Sequence, residues 1–203
     1  MAFIKTSEML EKCQFHEIKK IIDDSLKLGC DNDHGHDYLV DFEMRFEEGH
    51  RQFIPTPYEE LNRVMNGGHG RGELGIVMAP SGLGKSSVLT HIGAWSIQNG
   101  YNVVHYTLEL KDTVVAQKYD SCISEIEINE ILNHKDEVYE KIKDFESKLI
   151  IKEYPPGFAT VNHLRNHLER LRTSETIPNP DVVIVDYGDL LSAVNSKGEV
   201  RHD

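Results

Sequence analysis

The segment Ala79-Pro80-Ser81-Gly82-Leu83-Gly84-Lys85-Ser86 has the residue types and spacing of a loop that holds phosphates. Gly82 and Gly84 let the backbone turn successive N–H groups inward. A helix beginning at Lys85 would aim its positive end at the same anion. Lys85 would reach the β- and γ-phosphates of a nucleoside triphosphate, and Ser86 would offer a hydroxyl to a magnesium ion. The stretch from Ala79 through Ser87 would line the bound nucleotide. Ala79 stands where the usual pattern has its first glycine. The string by itself occurs by chance; its setting singles it out, because the apolar run ELGIVMA (73–79) precedes it and a helical pattern follows.

Such a site also needs an acid for the metal's water shell. Asp186 ends the run Val182-Val183-Ile184-Val185, four apolar residues leading into one carboxylate. That pattern puts an acid at the carboxyl edge of a sheet beside a phosphate loop. Alone, an aspartate after an apolar strand is more often a loop cap. A third group is Glu109, closing VVHYTLE. On a strand between the phosphate-loop strand and the Asp186 strand, its carboxylate would polarise an attacking water beyond the γ-phosphate. The competing assignment is a charge at the N-terminus of the helix that follows.

The elements that must position these groups alternate strand and helix from residue 54 onward. IPTPYEE (54–60) marks a domain start, since its prolines disfavour helix at the residues before them. ELGIVMA reads as a short buried strand, followed by a helix to about residue 98 that Asn99-Gly100 terminates. NVVHYTLE (102–109), LIIKEY (149–154) and DVVIVDY (181–187) read as strands. Residues 111–147 read as helix interrupted near 123–126, and TVNHLRNHLERLR (160–172) as helix. Strands this apolar are expected to be buried on both faces, so the fold class is α/β with a mostly parallel sheet flanked by helices. Upstream, residues 7–28 and 37–48 show helical periodicity around an acidic break at 31–37. The expected organisation is a helical segment and linker over 1–50 and an ATPase domain over 51–203.

A length of 203 residues is enough to bury one core. No apolar run reaches the ~20 residues that span a bilayer, and the N-terminus lacks the apolar stretch of a signal peptide. Cys13, Cys30 and Cys122 are odd in number and lack CxxC spacing, which points to a reduced, cytoplasmic setting. The net charge of −12 argues against a basic nucleic-acid face. Any contact with DNA would come from a few local basic loops repeated around an oligomer.

The blocks IPTPYEELNRVMNGGHGRGELGIVMAPSGLGKS, NVVHYTLEL and DVVIVDYGDLL resemble, in order and spacing, the RecA-like motor domain of DnaB-type replicative helicases, closest to its phage branch. The resemblance covers about residues 50–200. It implies an ATP- and Mg²⁺-dependent homo-hexamer that moves 5′→3′ on single-stranded DNA, in a bacterial cell or phage-infected host, with a primase and a helicase loader as possible partners. Carried over by motif position, Lys85 and Ser86 are Walker A, Glu109 the catalytic glutamate and Asp186 Walker B. Two departures stand out. Many members have glutamine where Asp189 stands, which puts a coupling role there in doubt. The chain also stops at Asp203, where members continue through a sensor strand, a DNA-binding loop and an arginine finger, so the resemblance implies a truncated motor with slow hydrolysis.

Other features carry less. Asp31, Asp33, His34, His36 and Asp37 fail the EF-hand template and read as a solvated acidic loop. His163 and His167 lie one helical turn apart without a metalloprotease glutamate and read as surface histidines. Lys197 and Arg201 read as solvated charges. Segment 37–48 resembles in position the linker that docks a neighbouring subunit in ring helicases, or else packs on its own domain. Three rivals remain: a recombination or signalling ATPase on the same core, a small-molecule kinase, and a nucleotide-binding module without turnover. The glutamate in TLEL opposes the first, and the net-acidic stretch 111–148, with no arginine-rich lid, opposes the second.

Overall fold

A computed structural model describes residues 37–46, 52–174 and 179–193, and the chain divides into two units, Met1–His50 and Arg51–Asp203. In the first unit the Asp37 carboxylate accepts the backbone N–H groups of Leu39 and Val40, both at 3.0 Å. Turns follow, ending in a 3₁₀ helix over Glu43–Arg45. The α-helix expected over 37–48 is therefore not formed across the described residues 37–46. A short carboxylate that captures nearby N–H groups offers the backbone an alternative to helical pairing. The helix expected over 7–28 lies outside the described residues, as does all of the acidic break except Asp37.

In the second unit the elements run β1 (Phe53–Ile54), α1 (Glu59–Val64), β2 (His69–Gly70), α2 (Lys85–Gln98), β3 (Val103–Thr107), α3 (Asp112–Ser124), α4 (Lys135–Ile142), β4 (Leu149–Glu153), α5 (Val161–Thr173) and β5 (Val182–Asp186). β1 and β2 pair antiparallel in a two-residue ribbon. Helix α1 starts only after both prolines of the PTP turn. There the Asn62 amide closes a loop, accepting the Thr56 N–H at 2.7 Å and donating to the Thr56 carbonyl at 2.8 Å.

The main sheet has the order β4–β3–β5 and is parallel throughout, with Thr107 opposite both Glu153 and Asp186. Alternation along β3 divides its side chains between two helical layers. Val103 joins Ile184 against Ala94 and Ile97 of α2 and Val115, Tyr119 and Ile123 of α3. Val104 and Tyr106 face the other way, onto Leu164 of α5. The chain thus has the parallel sheet flanked by helices that the sequence led one to expect, an α/β fold. Helix α3 stops at Ser124, where Glu125 takes a left-handed conformation, so the break expected near 123–126 is present.

Two expectations need correction. Only β3 is buried along its whole length; β4 and β5 are half covered, and Val183 is 44% exposed. More importantly, residues 73–79 form no strand. No described strand pairs with them, and Leu74 and Met78 are 85% and 86% exposed. An apolar run is competent to become a strand, but burying it requires a ladder neighbour whose carbonyl and N–H groups match its own.

The α2–α3 contact tolerates no extra atom at Gly93. A Cβ there would collide with the Tyr119 hydroxyl oxygen. That hydroxyl is itself bonded to His105 at 2.9 Å and cannot retreat without cost. Gly93→Ala would gain about 1 kcal/mol of helix propensity, yet overpacking typically costs about 1–3 kcal/mol. The expected net result is a lower thermal midpoint, partly recovered when Tyr119→Phe removes the obstructing oxygen. A Gly93→Ala variant as stable as the parent would contradict this packing.

Candidate functional site

Helix α2 begins at Lys85 because Gly84 adopts a left-handed conformation, φ +83°, that most side chains resist. Gly82 likewise has positive φ, and a Cβ at that position would meet nothing, so the loop there is open. The Lys85 ammonium folds back over the loop and donates to the carbonyls of Ala79 (2.9 Å) and Pro80 (3.2 Å). Ser86 is half-buried; Ser81, Gly82, Leu83 and Ser87 are exposed.

Helix α2 packs on β3 and β5. Its C-terminal end leads through Asn99–Asn102 into the start of β3, so its N-terminus points to the carboxyl edge of the sheet. Fourteen helical residues span about 21 Å against about 17 Å for a five-residue strand. At the opposite edge Arg71 is pinned to Asp181, just before β5, by a 3.1 Å ion pair. Asp181 also accepts the Asn102 N–H at 2.9 Å. The stretch from Arg71 to Lys85 therefore crosses from the amino to the carboxyl side of the sheet without joining it.

At the carboxyl edge, Asp186 is the last residue of β5 and is 3% exposed. The backbone N–H of Leu108 donates to the Asp186 carbonyl at 2.8 Å. Glu109, the next residue, is thereby held at the same edge, with its side chain in solvent. The Thr107 hydroxyl fixes the following turn, donating to the Leu110 carbonyl (2.7 Å) and accepting the Leu110 N–H (3.2 Å). Two carboxylates are thus brought to one edge, one buried and one exposed. The peptide bond from Asp186 to Tyr187 is cis.

Asp186 Oδ1 is fully buried and has no hydrogen-bond partner. A buried, unpaired carboxylate oxygen costs free energy. A carboxylate is a hard oxygen donor of the kind Mg²⁺ takes, and Asp186 with the Ser86 hydroxyl would supply few protein oxygens, leaving the rest to water and phosphate. Among the described residues no group of three or more His, Cys, Asp or Glu is placed to hold a metal. His163 instead caps α5 with Thr160, and His167 is half-buried against the Tyr106 hydroxyl at 2.9 Å. Asp189 sits exposed in a 3₁₀ turn after β5.

The structure matches known proteins in this region. The DnaB-like helicase C-terminal domain family matches residues 53–203. The chain belongs to that family. It is 28% identical over 180 residues to the DnaB-like replicative helicase of Enterobacteria phage T4, covering 84% of this chain and 38% of that protein. A solved DnaB-like replicative helicase, described with its interactions with primase, superposes with a TM-score of 0.67 at 16% identity, covering 98% of this chain and 49% of the other. A second solved structure, described as an ATPase domain, gives 0.59 at 19% identity, covering 79% and 58%. The chain thus spans less than half the length of the DnaB-like helicases it matches.

Beneath the edge lies a polar cluster that sequence inspection missed. His105, 0% exposed, meets the Tyr119 hydroxyl through Nδ1, while its Nε2 has no partner. The only signal for it was a histidine inside an otherwise apolar strand; Tyr119 comes from another element. Burial lowers the His105 pKa to about 4, only partly opposed by the Asp186 charge. An unfolded histidine titrates near 6.5. Between those values the unfolded chain binds the extra proton, so stability falls as pH drops from 6.5 towards 4 and levels off below. The contribution lost is about 3 kcal/mol. Urea unfolding across that range should show the slope, and His105→Gln should flatten it.

Proposed function

We propose that residues 51–203 are the ATPase motor of a DnaB-like replicative helicase, which hydrolyses ATP between subunits of a homo-hexamer to translocate on single-stranded DNA and unwind duplex. The family match over 53–203 supports this most directly. The shared carboxyl edge of Asp186 and Glu109, joined through the Leu108–Asp186 bond, is the geometric support.

In this assignment the loop from Ala79 to Ser87 wraps the phosphates of ATP, and Lys85 exchanges its two carbonyl partners for β- and γ-phosphate oxygens. Ser86 and Asp186 hold Mg²⁺ and its water shell, which supplies charge neutralisation on the phosphates when bound. Glu109, exposed and one residue beyond the edge, orients and deprotonates the attacking water. Exposure suits that role, since the water approaches from the far side of the γ-phosphate. The solved relative described with primase makes a primase a reasonable partner for the parent assembly.

The test is Mg²⁺-ATP hydrolysis by this chain, with and without single-stranded DNA, together with its mass in solution. DNA-stimulated turnover by a hexamer is the expected outcome for a working motor. Tight nucleotide binding by an inert monomer would instead favour a nucleotide-binding module.

A further inference from the structure

Two buried polar atoms without partners lie on the same face of the sheet, His105 Nε2 and Asp186 Oδ1. In the parallel register His105 is opposite Ile184 and Thr107 opposite Asp186. His105 and Asp186 therefore project to one side, two residues apart along adjacent strands. Such diagonal neighbours have backbones roughly 7–8 Å apart; here the imidazole and the carboxylate stop short of each other, and each of the two atoms is left without a partner. One of the two atoms can carry a proton, and the other can only accept one.

Tyr119 decides which nitrogen of His105 holds that proton. Its hydroxyl is buried, and burial holds its pKa well above the ordinary tyrosine value, so it stays a phenol. A buried O–H must donate. His105 Nδ1, at 2.9 Å, is the partner the structure gives it. With Nδ1 accepting, the neutral ring carries its hydrogen on Nε2. The donor faces the side where an acceptor is missing.

We propose that His105 is a positioning residue for the Asp186 carboxylate: a turn of the carboxylate from the position seen here, when nucleotide and Mg²⁺ bind, lets Nε2–H donate to Oδ1 and leaves Oδ2 for the nucleotide side, with Tyr119 fixing the tautomer. The chain from Gly93 through Tyr119 and His105 then ties the packing of α2 on α3 to the aim of Asp186. This inference rests on the nucleotide assignment of Asp186. It adds a residue from β3 that touches neither phosphate nor metal. Loss of a hydrogen bond to a charged group is expected to weaken Mg²⁺-dependent binding roughly 10- to 10²-fold.

Two measurements on the full chain test it. In ¹⁵N-histidine spectra, the resonances that vanish in His105→Gln should be those of a neutral Nε2–H tautomer; an Nδ1–H ring overturns the proposal. Second, ADP affinity is measured with Mg²⁺ and with EDTA. His105→Leu should lower affinity roughly tenfold or more with Mg²⁺ and leave the EDTA value unchanged, and His105→Gln, which restores an N–H donor, should recover most of the loss. An equal loss in both conditions would mean a purely structural role and overturn the proposal. Asp186→Asn separates the two levels. If it abolishes the Mg²⁺ dependence while His105→Leu does not disturb it, only the positioning role fails. If Asp186→Asn leaves that dependence intact, the nucleotide assignment fails first and takes this inference with it.

Discussion

Replacing Glu109 with glutamine is expected to lower ATP turnover by ~10²–10⁴-fold while leaving nucleotide affinity within about twofold. The side chain keeps its size and its place beyond Leu108, whose N–H remains bonded to the Asp186 carbonyl. Only the ability to take a proton from water is lost. Because Glu109 is exposed, the variant should also unfold at the parent's temperature. Single-turnover hydrolysis beside an ADP or ATP titration separates the effects. Unchanged turnover would remove Glu109 from the chemistry and return it to the role of a charge ahead of α3.

The second large effect is expected at Lys85. Lys85→Ala should weaken ATP binding by roughly 10- to 10²-fold, the equivalent of one charge-assisted hydrogen bond to phosphate at about 1.5–3 kcal/mol. Part of that gain is offset in the parent, because the ammonium must first leave the Ala79 and Pro80 carbonyls. The loss should shrink as salt rises, since the loop is open and its charge is screened. It should also be larger for ATP than for ADP, because the amine reaches towards the γ-phosphate. Isothermal titration with both nucleotides checks this; equal affinity in the variant would refute the loop assignment.

The candidate site was legible as a pattern because a phosphate-binding assignment demands particular residue types at short, fixed spacing. Gly82, Gly84, Lys85 and Ser86 are local in sequence, and Asp186 closes an apolar run that became a strand. Glu109, expected on a strand, instead lies two residues past the end of β3, which runs between β4 and β5 and not beside a phosphate-loop strand. Elements of ten or more residues with a clear period, such as α2 and α5, were equally readable. The errors have a common cause. Residues 73–79 carry the apolar character of a strand, but pairing is a property of two segments and is not written in one of them. The β1–β2 ribbon, two residues on each side, is too short to have a period. His105 and Tyr119 are fourteen positions apart on a strand and a helix, so their bond exists only once the layers are packed. The turn at Asp37 was hidden because helical spacing of Tyr38, Leu39 and Phe42 says nothing of a side chain competing for backbone N–H groups.

The unladdered run ahead of the phosphate loop also bears on how copies of this chain behave towards one another. Gly75-Ile76-Val77-Met78-Ala79 is uncharged and rich in strand formers, and Ile76 and Met78 are mostly exposed. A segment of that kind, with N–H and C=O groups outside any sheet, is a template for aggregation. Glu73 on one side and Pro80 on the other act as gatekeepers. The remaining protection is collective: twelve net negative charges keep the molecules apart. That protection fades over about a nanometre at physiological ionic strength, so colloidal stability is set by salt at least as much as by the folded core.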